Sequence, residues 1–298
     1  MRLLLTGGTG FIGAPLCQAL AQHDHELLVL TREPKARSPQ QHIRYLSWHA
    51  DEWQRAITDV DGVINLAGAP LAAKRWSSQQ KRLILDSRVQ TTSTLVSAMA
   101  AQPKRPSVVV SVSAIGYYGP RGDELLTELA PLGRGFLAEV CQAWEHEAQR
   151  AEALGVRVVR LRMGLVLGPG GGALAKMVPP FRAFIGGPLG HGRQWISWVH
   201  RDDVIGLIEW ALTHPNVSGA LNATAPNPVT MQGLCRELGR ALHRPSWAPV
   251  PAVVLRLLLG EMADLLLTGQ RVLPQVAQQQ GYRFHFPELG PALQACLR

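Results

Sequence analysis

The sequence predicts an α/β protein: a doubly wound parallel sheet followed by a smaller, mostly helical region at the C-terminal end. Three observations carry this. Short, near-continuous apolar runs alternate with stretches of helical periodicity through residues 2–168, which is how strands buried on both faces read between covering helices. A glycine-rich turn, "TGGTGFIG" at 6–13, stands between the first run and the first helix. From "GPGGGA" at 168–173 the pattern loosens, with Pro and Gly frequent at 179–192, 215–228 and 245–251 and helices shorter.

The elements follow in order. "RLLL" (2–5) is a short buried strand, and "FIGAPLCQALAQHD" (11–24) a helix that tolerates Pro15 in its first turn. "ELLVL" (26–30), "IRYLSW" (43–48) and "GVINLAG" (62–68) are the next three strands. Residues 77–101 form a long helix, and "SVVVSVS" (107–113) a fifth strand. Phe136, Leu137, Val140, Cys141 and Trp144 recur at helical spacing within 134–153. "VRVVRLRMGLVLG" (156–168) is the sixth strand. Residues 1–165 are therefore expected to form the nucleotide-binding domain, and 166–298 the substrate-side region, with some segments returning to the main sheet.

Composition narrows the function classes. The chain has 298 residues, 46% of them hydrophobic, enough for a large core. Cys17, Cys141, Cys235 and Cys296 are widely scattered. No pair has metal-ligand or redox spacing, so reduced thiols in a cytoplasmic protein are expected, and no metal. The start "MRLLLTGGTG" is too short and glycine-rich for a signal peptide. No apolar run reaches the ~18 residues of a membrane span, since "VVLRLLLGEMADLLL" is broken by Arg256, Glu261 and Asp264. The formal net charge is +8, but the arginines are dispersed, whereas a nucleic-acid surface would cluster them. The charge instead suits an anionic small ligand. The expected partners are a small-molecule substrate, with nucleotide-linked compounds among the candidates, and a second copy of the chain. Nucleic acid and membrane are not expected.

The turn at 6–13 contains Gly8-x-Gly10-x-x-Gly13 and Gly7-x-x-Gly10-x-x-Gly13. Following a strand and opening a helix, this is a dinucleotide-binding signature of the Rossmann type. Glycines let the backbone approach a pyrophosphate, and the helix N-terminus offers free N–H groups. No Gly-Lys-Ser/Thr follows, which excludes a P-loop. NAD enzymes usually place an acid about 20 residues on, to bind the ribose 2′-hydroxyl. Here the second strand runs into Thr31-Arg32. A hydroxyl and a guanidinium bind a 2′-phosphate that an acid would repel, so NADP is expected over NAD, although Glu33 is the rival residue.

"SVSAIGYYGPRG" at 111–122 leaves the fifth strand with a serine pair and two tyrosines. A tyrosine acting at neutral pH needs help, because its unperturbed pKa is about 10. No lysine stands four residues after any of the four tyrosines. Arg121, four after Tyr117, is the nearest charge along the chain.

"TGGTGFIG", "NLAG" (65–68), "SVSAIGYYG" and "WVHRDDV" (198–204) come in the order of the extended short-chain dehydrogenases/reductases. "SRVQTT" (87–92), "GFLAEVCQAWE" (135–145), "RMGLVLGPGGGAL" (162–174) and the C-terminal "GQRVLPQ…GYRFHFPELGPAL" resemble an atypical branch of them, the YfcH-like epimerase-family proteins. The resemblance implies an oxidoreductase or epimerase-like activity. It puts Gly7, Gly10, Phe11, Ile12 and Gly13 along the pyrophosphate, and Leu66, Ala67 and Gly68 beside the adenosine side. It puts Ser113 at the catalytic Ser/Thr position, and Arg88 where the family keeps an asparagine, within reach of cofactor phosphate.

The family's Tyr-x-x-x-Lys pair, which moves a proton as hydride moves, falls in "GFLAEVCQAWE". There it reads Phe136/Val140 or Leu137/Cys141, depending on register, with Glu145 matching the glutamate that often follows. Tyr117 and Tyr118 are the substitutes as proton relay, or else line the substrate pocket. His191, Arg193 and Trp198 are candidate substrate contacts. His200-Arg201-Asp202 mimics a kinase triplet without its partners, and Asp202 or Asp203 is expected to cap a helix. The "GPGGGA" loop is either a second phosphate cradle or a cleft edge. The competing reading is an NADPH-binding sensor or scaffold without turnover.

Overall fold

A computed structural model of the chain describes residues 1–36 and 40–298. The strands are β1 (Arg2–Thr6), β2 (Glu26–Thr31), β3 (Ile43–Ser47), β4 (Gly62–Asn65), β5 (Val108–Ala114), β6 (Leu125–Leu126), β7 (Arg157–Met163), β8 (Leu165–Leu167), β9 (Trp195–Ile196), β10 (Trp198–His200), β11 (Gly219–Ala223), β12 (Val229–Thr230) and β13 (Arg271–Val272). The helices are α1 (Gly13–Gln22), α2 (Glu52–Ala56), α3 (Ser78–Ala100), α4 (Phe136–Gln149), α5 (Leu174–Arg182), α6 (Arg201–Thr213), α7 (Met231–Leu242), α8 (Ala252–Leu259), α9 (Asp264–Leu267), α10 (Gln275–Gln279) and α11 (Leu289–Leu297).

Seven strands form one sheet in the order β11-β7-β5-β4-β1-β2-β3, and every neighbouring pair is parallel. Such a sheet must be covered on both faces, and β1 shows how. Leu3 and Leu5 join the cluster under α1 and α6, while Leu4 joins the opposite cluster with Leu95 and Val96 of α3. Alternation along the strand thus sends each leucine of an unbroken apolar run into a different core layer. The strand order reverses between β1 and β4, and the crevice at their carboxyl ends is the expected ligand position. β11 returns from the C-terminal region to the sheet edge beside β7. The rest of that region packs α5, α7 and α11 around a third core.

Three local expectations are corrected. The strand expected over 156–168 is two strands broken at Gly164, where a Cβ would clash with the passing Ser197 carbonyl. The strand expected over 62–68 ends at Asn65, so residues 66–68 are a loop over the crevice. Helix α6 is capped neither by Asp202 nor by Asp203. His200 is the cap, its Nδ1 accepting from the Asp202 N–H at 3.2 Å. Asp203 is fully buried inside the helix. Its carboxylate accepts from the backbone N–H groups of His285 (2.7 Å) and Phe286 (3.0 Å), which ties the C-terminal segment to the sheet. No described helix is long and apolar enough to cross a membrane.

Candidate active site

The β1–α1 loop is built for close approach. Gly7 sits at φ +69°, a conformation glycine adopts without strain, and a Cβ there would lie 2.8 Å from the Leu66 carbonyl carbon. A Cβ on Gly13 would overlap the Gly7 carbonyl oxygen. Only glycines let the loop, the first turn of α1 and residues 66–68 share this space. Gly10 donates to the Gly7 carbonyl at 3.1 Å and closes the turn. The Thr6 hydroxyl donates to Asn65 at 2.7 Å and accepts from the Ala67 N–H, fixing the 66–68 loop beside it. A hollow of about 300 Å³ adjoins the loop, lined by Thr9, Ala14, Gln18, Ala36, Gln40 and Tyr45 among others. The cradle that side chains would fill fits a dinucleotide.

At the end of β2, the Thr31 hydroxyl accepts from the Glu33 N–H at 3.3 Å, shaping the turn. Arg32 and Glu33 are exposed, and neither forms an ion pair among the described residues. Arg88 is half-buried on α3. It donates to the Ala69 and Ile84 carbonyls at 3.1 and 2.9 Å, lies 5.1 Å over the Trp144 ring, and borders Gly68. Its guanidinium is thus at the crevice, braced by the loop after β4.

The catalytic corner is organised differently from the expectation. Ser113 is 1% exposed, and its hydroxyl donates to Glu145 at 2.7 Å. Glu145 receives two nearly parallel bonds from Arg162, each 2.8 Å, and a third from Arg160 at 3.3 Å. Burial opposes the Arg162 charge, but the Glu145 carboxylate outweighs it and raises the pKa above the ordinary arginine value. Arg162 also donates to the Tyr118 hydroxyl at 3.0 Å, and Tyr118 donates to Asn222 at 2.7 Å. Tyr118 is fully buried. Burial pushes its pKa up to about 12, and its hydroxyl is already engaged twice.

Tyr117 is half-buried, with the Arg162 guanidinium 3.4 Å from its ring centroid. Its hydroxyl has no hydrogen-bond partner among the described residues. The charge that reaches the tyrosine pair is thus Arg162. Arg121 is turned to the Tyr118 carbonyl and to Glu124.

Contacts show which side of α4 faces β5. A Cβ on Gly116 would lie 3.2 Å from Leu137, and the Cys141 thiol reaches the Ala114 carbonyl at 3.6 Å. Leu137 and Cys141 therefore face the end of β5. Phe136 turns away, edge-on to Trp76 at 5.2 Å. Burial, reinforced by the Glu145 charge, pushes Cys141 up to about 11, so the thiol stays neutral at this position.

On the substrate side, His191 and Arg193 are exposed, the His191 ring accepting from the Arg193 N–H at 3.0 Å. Trp198 is placed elsewhere: it is 0% exposed in the third core, its indole N–H donating to Asn227 at 3.0 Å. The "GPGGGA" loop packs on the cofactor loop. A Cβ on Gly171 would stand 2.6 Å from the Phe11 ring, and Arg201 covers that ring from 5.2 Å while holding the Pro169 carbonyl. Arg162 and Asn222 escaped the sequence reading. The available signal was Arg160 and Arg162 alternating within a buried strand, because a buried guanidinium requires a carboxylate partner.

Comparisons agree with this architecture. Residues 3–223 match the NAD dependent epimerase/dehydratase family, and residues 250–296 match a domain of unknown function, DUF1731. The chain is 43% identical to the Arabidopsis thaliana "Epimerase family protein SDR39U1 homolog, chloroplastic", over 100% of this chain and 87% of that protein. It is 34% identical to the human epimerase family protein SDR39U1, solved with NADPH, with a TM-score of 0.90 and 99% of each chain covered. A UDP-glucuronic acid 4-epimerase from Bacillus cereus, solved with NAD and UDP-glucuronic acid, shares the fold at 17% identity and a TM-score of 0.81, covering 99% of this chain and 98% of that one. By fold, by its glycine cradle and by these matches, the chain belongs to the NAD dependent epimerase/dehydratase family.

Proposed function

We propose that this protein is an NADP(H)-dependent oxidoreductase or epimerase-like enzyme, an atypical short-chain dehydrogenase/reductase that works without the Tyr-x-x-x-Lys pair. The observation that carries the reading is the cradle at Gly7–Gly13, with β2 running into Thr31 and an exposed Arg32 ahead of Glu33. Gly7, Gly10, Phe11, Ile12 and Gly13 hold the pyrophosphate, Leu66, Ala67 and Gly68 flank the adenosine side, and Thr31, Arg32 and Arg88 face cofactor phosphate. The human relative solved with NADPH supports the choice of NADP. The four buried free thiols support a reducing, cytoplasmic setting.

Gly7, Gly10 and Gly13 would hold the cofactor, which would supply hydride chemistry between a carbonyl and an alcohol. Tyr117 then exchanges its phenolic proton with the substrate oxygen, held in place by the Arg162 guanidinium against its ring. Ser113 and Tyr118 steady that corner through Glu145, Arg162 and Asn222 rather than meeting the reacting atoms. His191 and Arg193 contact a small, hydroxyl-bearing substrate, nucleotide-linked compounds included.

Leu137 and Cys141 at the places of the missing pair favour a second reading, an NADPH-binding sensor without turnover. Titration with NADPH and NADH, followed by fluorescence, tests the cofactor. Preference for NADPH is expected, and equal affinity or preference for NADH would remove the Arg32 argument. Hydride transfer on a panel of carbonyls and nucleotide sugars separates the enzyme from the sensor, and tight NADPH binding with no turnover would decide for the sensor.

A further inference from the structure

We infer that the C-terminal region carries a peripheral docking surface for an anionic lipid bilayer, formed by α8 and the two paired segments that precede it. Seven of the eleven exposed large hydrophobic residues lie at 184–185 and 247–258, so they are not scattered as single exposed apolar residues normally are.

The backbone makes these residues neighbours. Trp247 donates its N–H to the Gly186 carbonyl, Val250 to Pro188, and Gly190 back to Val250. The Trp247 indole donates to the Phe184 carbonyl at 2.9 Å. Pro251 then leads directly into α8, where Leu255 faces inward. Outward stand Val253 (72% exposed), Leu257 (77%) and Leu258 (62%), and the paired segments that lead into α8 expose Phe184, Ile185 and Trp247 (66%). A contiguous apolar patch of this kind marks an interaction site, and a tryptophan at its edge suits a membrane–water boundary.

Charge selects the occupant. Residues 179–192 and 238–260 contain no aspartate or glutamate but carry Arg182, Arg240, Arg244 and Arg256. Arg182 and Arg256 are exposed, and Arg244 lies 4.6 Å over the Phe184 ring. The flanking acids, Glu237 and Glu261, are ion-paired with Arg240 and Lys81. An apolar surface rimmed by cations complements acidic headgroups over acyl chains. A second copy of the chain would bring these like charges face to face. The eight residues of α8 are too short to cross a bilayer, so the contact is peripheral and runs against the expectation of no membrane partner.

The test is co-sedimentation of the full chain with vesicles of phosphatidylcholine alone or of phosphatidylcholine with phosphatidylglycerol. Binding to the anionic vesicles only, weakened by salt and accompanied by a blue shift in tryptophan fluorescence that Trp247→Phe removes, is expected. Leu257→Ser and Leu258→Ser should each weaken partitioning by about tenfold, and Arg256→Glu should weaken it without removing any leucine. Circular dichroism and the melting temperature should stay unchanged, because these side chains are exposed. Absence of binding to anionic vesicles overturns the inference, as does equal binding to both vesicle types. So does a dimer in sedimentation equilibrium that Leu257→Ser dissociates, which would assign the patch to a second copy.

Discussion

Removing the Glu145 carboxylate should be among the most damaging single changes to this fold, and the damage should be repairable by also removing a charge. Side chains of Glu145 and Arg162 are 4% and 3% exposed, so Glu145→Ala strands the guanidinium with no solvent to turn to. Leaving one buried partner uncompensated costs about 3–5 kcal/mol. The Ser113 hydroxyl loses its acceptor as well, which adds about 1 kcal/mol. Arg160, 16% exposed, relaxes toward water and adds little.

Glu145→Leu combined with Arg162→Met removes both charges and keeps apolar volume. Buried ion pairs replaced in this way are often neutral or stabilising. Here the Tyr118 hydroxyl also loses a donor and the Tyr117 ring its cation, so the double variant should fall within about 2 kcal/mol of the parent. Urea unfolding followed by circular dichroism, with m-values compared to confirm the same transition, measures both. A Glu145→Ala variant within about 1 kcal/mol of the parent would refute the reasoning. So would a double variant less stable than Glu145→Ala.

Tyr118 should stay un-ionised where a free phenol titrates. Its folded pKa is raised from 10.0 to about 12, so the stability it contributes is complete below pH 10 and is lost as pH rises toward 12. The Tyr118 share of the phenolate absorbance, read as the difference between the parent and Tyr118→Phe, should therefore appear together with unfolding. Gly13→Ala should abolish NADPH binding in fluorescence titration and lower the melting temperature, because the new Cβ overlaps the Gly7 carbonyl. Asp203→Ala takes the carboxylate acceptor from the partly buried backbone N–H groups of His285 and Phe286, and hydrogen bonds to a charged group are worth about 1.5–3 kcal/mol each. Limited proteolysis should then cut first in the released segment around 282–288. Tyr117→Phe should keep NADPH affinity and lose turnover, and retained turnover would remove Tyr117 from the proposed chemistry.

The sequence by itself determined the parallel sheet and the cofactor loop, because both are local. A strand buried on both faces must be apolar at every position, as Leu3, Leu4 and Leu5 are, and a dinucleotide cradle needs glycines at fixed spacing along one turn. It also determined that no lysine stands four residues after any tyrosine, since that is a matter of residue identity. Tertiary structure alone decided which side chains meet at the end of β5. Ser113, Glu145, Arg162 and Asn222 lie on β5, α4, β7 and β11 and meet only when the sheet closes, at separations of 32 residues for Ser113–Glu145 and 104 for Tyr118–Asn222. The same closure buried Tyr118 beside the half-buried Tyr117 and set Trp198 into the third core. It left Tyr117 half-buried under the Arg162 guanidinium, its hydroxyl without a hydrogen-bond partner among the described residues. Adjacent tyrosines with one composition and one neighbourhood in sequence thus took different environments, because burial and hydrogen-bond partnership are set by which strands arrive from elsewhere in the chain.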